Sequence, residues 1–63
     1  MPAEKIVIVK LEWSSLDGRA EFRPVYSDGT KDRIVSTTIE LGTPATRREM
    51  TATEREWIGR EKP

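Results

Sequence analysis

The stretch LEWSSLDGRAEFRPVYSDGT, residues 11–30, decides the fold of this chain. It holds two Asp-Gly pairs, Asp17-Gly18 and Asp28-Gly29, each closing a run in which apolar and polar residues alternate. An Asp-Gly pair readily takes the positive φ that short hairpin turns require, so the runs on either side read as antiparallel strands. Successive strand residues point to opposite faces, and the alternation therefore also divides the side chains between two faces.

Working outward, segment one is expected over residues 5–13, with Ser14-Ser15-Leu16-Asp17-Gly18 as its turn. Val7, Val9, Leu11 and Trp13 are all apolar and are assigned to the core face. The opposite set, Ile6, Ile8, Lys10 and Glu12, begins apolar too, so the first half of the strand is hydrophobic on both faces. Segment two covers 19–27, with Ala20, Phe22 and Tyr26 inward and Glu21, Arg23 and Val25 outward. Pro24 interrupts it, because proline has no N–H for a ladder bond. A meander puts segment two in the middle, so Pro24 calls for either a bulge or pairing on one side only; a bulge is the preferred solution. Segment three spans 32–41, with Val35, Thr37, Ile39 and Leu41 as its core face.

Gly42-Thr43-Pro44 ends the sheet, and Thr43 before Pro44 is one possible helix start, since proline suits the first helical position. Thr51-Ala52-Thr53-Glu54 has the S/T-x-x-E form of a capping box and is the preferred start, giving a helix over 51–61 with Met50 preceding it and Trp57 and Ile58 facing inward. Glu54 near its start and Arg60 and Lys62 near its end suit the helix dipole. The expected architecture is α+β: a three-stranded antiparallel β-meander with one C-terminal α-helix on one face, in a single domain over 1–63.

Composition narrows the function. The chain has 63 residues, no cysteine and no histidine, and 11 basic residues balance 11 acidic ones. A chain this short has a thin stability margin unless a disulfide, a metal or a partner adds to it. Cysteine is absent, and without Cys or His a zinc site lacks its best ligands, so no metal and no cofactor is expected. A partner is the remaining source of stability. The longest aliphatic run, Ile6-Val7-Ile8-Val9, is far too short to cross a bilayer, and a cytoplasmic, membrane-free protein is expected.

Catalysis is not expected. Without His or Cys, acid-base work falls to Asp, Glu, Lys or Tyr in a dry pocket, which one helix on a small sheet hardly provides. Pro2 after the initiator Met raises the idea of an N-terminal proline base, as in small tautomerases. In those enzymes the first strand leads into a long helix, whereas here it leads into a hairpin. The two Asp-Gly sites lack the oxygen-rich spacing of an EF-hand loop and read as turns.

Two binding roles follow. Ile6, Ile8, Val25 and Ile34 fall on the face away from the helix, where they would form an apolar patch for a protein partner or a second copy. Segment one is also an open sheet edge that another strand can extend. The function expected is therefore a small non-catalytic protein-interaction or regulatory module, homodimeric or stabilised by a partner. The alternative is a sheet that binds nucleic acid through Lys10, Arg23, Lys31, Arg33, Arg47 and Arg48. Against it, Glu12, Glu21 and Glu40 share the outer face with Lys10 and Arg23, where phosphate contact favours unopposed cations.

Overall fold

A computed structural model describes residues 5–63. Three strands, β1 (Ile8–Leu16), β2 (Arg19–Tyr26) and β3 (Val35–Glu40), form one antiparallel sheet in the order β1-β2-β3, and helix α1 (Thr46–Trp57) follows. The α+β meander with a C-terminal helix is the architecture the alternation calls for; the boundaries differ in instructive ways.

β1 runs up to Leu16, three residues beyond the expected end, because its turn has only two residues. Asp17 (φ 52) and Gly18 (φ 76) both take positive φ, as a tight type I′ hairpin demands, so Ser14, Ser15 and Leu16 stay in the ladder opposite Glu21, Ala20 and Arg19. The second turn is closed by Asp28, whose Oδ1 accepts from Thr30 N–H (3.1 Å) and Thr30 Oγ1 (2.6 Å).

The core sits between the sheet and α1. Ile8, Leu11, Phe22 and Tyr26 are buried together, with Trp13, Val35 and Trp57 packed around them. Phe22 is the centre: Trp13 stands opposite it on β1, Val35 opposite it on β3, and Trp57 of α1 lies above it. Both tryptophans meet its ring edge-to-face, at 5.3 Å for Trp13 and 5.0 Å for Trp57. That geometry adds about 0.5–1.5 kcal/mol per pair beyond burial.

β1 contains an irregularity that strict alternation cannot anticipate. Ile8 pairs with Tyr26 and Lys10 with Val25, so Val9 is an extra residue, a bulge. One extra residue reverses the faces, so upstream of it Ile8 rather than Val9 joins the core, while Val9 is 48% exposed. The assignment of Val9 to the core and Ile8 to the outer face is thereby corrected.

Pro24 is buried without a bulge in β2 itself. In a two-residue hairpin Leu16 and Arg19 are a hydrogen-bonded pair, so Leu11 and Pro24, an odd number of steps away, form a pair without ladder bonds. The missing N–H therefore faces the third segment. There Arg23 and Pro24 lie between the pairs Phe22–Val35 and Val25–Lys31, against Asp32, Arg33 and Ile34. The extra residue thus belongs to the partner segment, and it delays β3 until Val35. Pro24 keeps one bond on that side, accepting from Asp32 N–H (3.0 Å).

Farther along β3 a second register shift places Thr37 across from Ala20, and its hydroxyl donates to the Ala20 carbonyl (2.5 Å) while accepting from Ile39 N–H (3.1 Å). Ile39 is buried, whereas Leu41 is exposed rather than in the core.

The helix starts five residues earlier than the capping-box reading places it. The Thr46 hydroxyl accepts from Thr43 N–H (3.0 Å) and donates to the Glu40 carbonyl (2.7 Å), tying the first turn to the end of β3. Ala45, the residue at the N-cap, makes no side-chain cap bond, so the Thr46 tether rather than a capping box marks this start. Thr51 lies inside the helix, and Thr53 Oγ1 bonds back to the Glu49 carbonyl (2.9 Å). α1 ends at Trp57 because Ile58 is extended and Gly59 takes φ 98, a conformation suited to glycine. Ile58 is consequently exposed instead of packing inward.

Candidate sheet edge and outer face

Beyond Gly59 the chain turns back along β1. Gly59 N–H donates to the Ile8 carbonyl (2.8 Å), Ile8 N–H to the Arg60 carbonyl (2.9 Å), and Lys62 N–H to the Ile6 carbonyl (2.8 Å); Val7 and Glu61 stand opposite each other. Gly59–Lys62 thus lies along the outer edge of the three-stranded sheet as a short segment joined by one isolated bridge, a feature the sequence reading missed. No apolar alternation marks it, since Gly-Arg-Glu-Lys reads as a polar tail. The only available signal is Gly59 after the helix, which marks a stop and reversal.

Side chains reinforce this segment. Lys62 Nζ reaches Thr30 Oγ1 (2.9 Å) and Asp28 Oδ2 (3.5 Å) and lies 5.3 Å from the Tyr26 ring centroid. Arg60 covers the Trp57 ring at 4.3 Å, and Lys5 pairs with Glu61 at 3.1 Å. Asp28 is held below the usual carboxylate range, first by the Thr30 hydroxyl and backbone N–H and then by Lys62. Tyr26 donates to Asp32 Oδ2 (2.8 Å); that bond raises the phenol's pKa, while Arg33 N–H and the Tyr26 hydroxyl lower that of Asp32.

The edge is therefore divided. The outward backbone groups of Ile6 and Ile8 are paired. Counting from the hairpin, Leu16, Ser14 and Glu12 bond to β2, so the backbone groups of Leu11, Trp13 and Ser15 point away from the sheet. Among the described residues no backbone group pairs with these three from outside. Trp13 flanks this open stretch on the core side, its Nε1 directed at Glu54 Oε2 across 3.4 Å; Lys10 and Glu12 flank it on the other.

The outer face carries mixed charge. Glu12 lies 3.0 Å from Lys31 Nζ, and its pKa is lowered by that hydrogen bond and by the charges of Lys31, Lys10 and Arg23. Lys31 pairs with Val25 on the far side of β2, so its stem crosses over Val25 to reach Glu12. That explains why Val25 is buried at 6% exposure despite facing away from the helix.

Of the proposed apolar patch, Ile8 (3% exposed) and Val25 lie inside the molecule, which corrects their placement on an open surface; Ile6 and Ile34 are exposed. Ile34 borders a shallow hollow of about 250 Å³ with Glu12, Trp13, Ser14 and Arg23. A second hollow of about 230 Å³ lies by the first hairpin, bordered by Leu16, Arg19, Glu21 and Thr37. Of the six cationic candidates, Lys10, Arg23 and Lys31 gather around Glu12. Arg33 lies in the irregular segment before β3, and Arg47 and Arg48 ride on α1, which covers the opposite face. The six do not form one surface.

Among the described residues no group of three or more acidic side chains is placed to hold a metal ion, and no helix is long and apolar enough to cross a membrane. Pro2 lies outside the described residues. Compared with protein-family models, with curated proteins and with solved structures, the chain finds no match.

Proposed function

We propose that this chain is a non-catalytic protein-interaction module that accepts an extended segment of a partner as an added strand along Leu11–Ser15 of β1. The observation that carries this reading is the outward, unpaired backbone of Leu11, Trp13 and Ser15 between the paired Ile6–Ile8 stretch and the Asp17-Gly18 turn. Strand addition draws affinity from main-chain bonds and specificity from alternate side chains. Here Trp13 would meet the partner on one face, and Lys10 and Glu12 on the other. The β3 edge is less suited, being six residues long with a broken register, and short or bulged edges resist pairing. The residue stock also favours a binding role, since His and Cys are absent and both hollows are shallow.

The test is a displayed library of extended peptides selected against the protein, followed by measurement on Ser15→Pro. This substitution removes an outward N–H and leaves the bonds to β2 in place. Selected segments that lose at least about tenfold in affinity support the reading. Failure to select any segment, or binding indifferent to the proline, refutes it.

Nucleic-acid binding is the weaker reading. Glu12 sits amid Lys10, Arg23 and Lys31, and Arg47 and Arg48 face elsewhere. Binding to mixed DNA that falls steeply with salt would revive it.

A further inference from the structure

We infer that the Gly59–Lys62 segment is exchangeable, and that its alternative seat is the Ile6–Ile8 edge of a second copy of this chain, giving a reciprocally strapped dimer. The inference rests on the same view of β1 as a strand-accepting edge but concerns its other half.

The seat is already defined, because the chain's own segment fills it with three backbone bonds: Gly59 to Ile8, Ile8 to Arg60, and Lys62 to Ile6. It also reads side chains in register. Glu61 meets Lys5, while Lys62 meets Asp28, Thr30 and the Tyr26 ring. An identical segment from a second copy satisfies every one of these contacts, whereas a foreign strand must reproduce an acidic-basic pair in the same order.

The segment is also weakly retained. Residues 59–63 are all exposed, so leaving the edge uncovers little of their own apolar surface. Its Lys5–Glu61 pair is solvent-facing, and such pairs contribute little. Trp57, the side chain that docks the helix on Phe22, precedes the hinge and stays in place.

The hinge is tight. Only Ile58 lies between the end of α1 at Trp57 and the returning Gly59–Lys62 segment, and the reversal depends on Gly59 at φ 98. Short reversals of this kind are where identical elements exchange between copies, since the extended hinge relieves the turn while every other contact is re-formed.

Val7 and Glu61 are directly opposed between the hydrogen-bonded pairs, the position where cross-strand Cα atoms are closest and a disulfide fits. The chain has no cysteine, so introduced thiols report without ambiguity. Chains carrying only Val7→Cys and chains carrying only Glu61→Cys, one isotopically labelled, are mixed in equal amounts at millimolar concentration and oxidised under native conditions. Neither can close a bond within itself.

Exchange predicts the mixed disulfide in at least about tenfold excess over the two like-with-like products, with loss of that excess when Lys62→Glu is added to the Glu61→Cys chain. A statistical mixture, or no covalent dimer, overturns the proposal. The double variant Val7→Cys/Glu61→Cys, oxidised when dilute, serves as the fold check. A monomeric internal disulfide there establishes that the seat tolerates both thiols, so a statistical mixture counts as refutation. Ser15→Pro must leave the mixed disulfide unchanged, so the two proposals fail separately.

Discussion

Phe22 is the residue on which the fold turns. It is 1% exposed and held between the edges of two indoles, with Val35 beside it. Removing it leaves both tryptophans without their common partner, and Phe22→Ala is expected to cost about 3–5 kcal/mol. That is comparable to the whole stability of a domain this small. Loss of near-ultraviolet circular dichroism at 25 °C checks it; a cooperative unfolding transition close to that of the parent chain would show that the cluster is misassigned. Tyr26 allows a subtler test. Its phenol pKa is raised by Asp32, so its contribution is complete below the unfolded tyrosine value near 10 and is lost as pH rises through the folded value. Tyr26→Phe is expected to remove that alkaline loss. It also takes one hydrogen bond from Asp32, weakening the acid-side contribution as well. Melting temperature measured across pH in both proteins compares the two profiles.

At the level of elements, the strands were legible because their signals are local. Asp17-Gly18 and Asp28-Gly29 mark the turns, and the alternation around Phe22 marks the buried face. What was not legible depends on pairing between segments. The bulge at Val9 changes no residue type, yet it moves Ile8 into the core and so removes Ile8 from any surface patch. Val25 is buried by a lysine stem arriving from the third segment, which periodicity within β2 cannot register. The helix start was misplaced because Thr51-x-x-Glu54 matches the capping pattern better than Thr43-x-x-Thr46, although the latter is anchored by the Glu40 carbonyl. The two sites respond oppositely to substitution. Thr46→Val is expected to cost about 1 kcal/mol through the lost bonds to Thr43 N–H and the Glu40 carbonyl. Thr51→Ala, exposed inside the helix, stays within about 0.5 kcal/mol of neutral or stabilises. Urea denaturation of both variants decides which threonine begins the helix.

For the whole molecule, residues 5–8 and 59–62 meet on one sheet edge. The returning segment ties the end of α1 to the start of β1 and, through Lys62, to the second turn. One contact of that segment is with Asp28, a carboxylate whose pKa is lowered in the folded chain, as are those of Glu12 and Asp32 elsewhere. Such groups stabilise above their unfolded pKa, near 4, and that stabilisation is lost as pH falls through the folded values. Acid is therefore expected to lower stability progressively below about pH 4, and Asp28→Asn to reduce that dependence. Thermal melts between neutral pH and pH 2 follow it; a slope unchanged by Asp28→Asn would remove Asp28 from the account.

The central claim is that the outer edge of β1 is paired over Ile6–Ile8 and open over Leu11–Ser15. Amide hydrogen exchange followed by NMR on dilute, monomeric protein reads it residue by residue. Ile8, Glu12 and Ser14 should exchange slowly, whereas Leu11, Trp13 and Ser15 should exchange roughly tenfold or more faster. Equal protection across 11–15 would mean that the edge is already occupied, and fast exchange at Ile8 would mean that the returning segment is not seated.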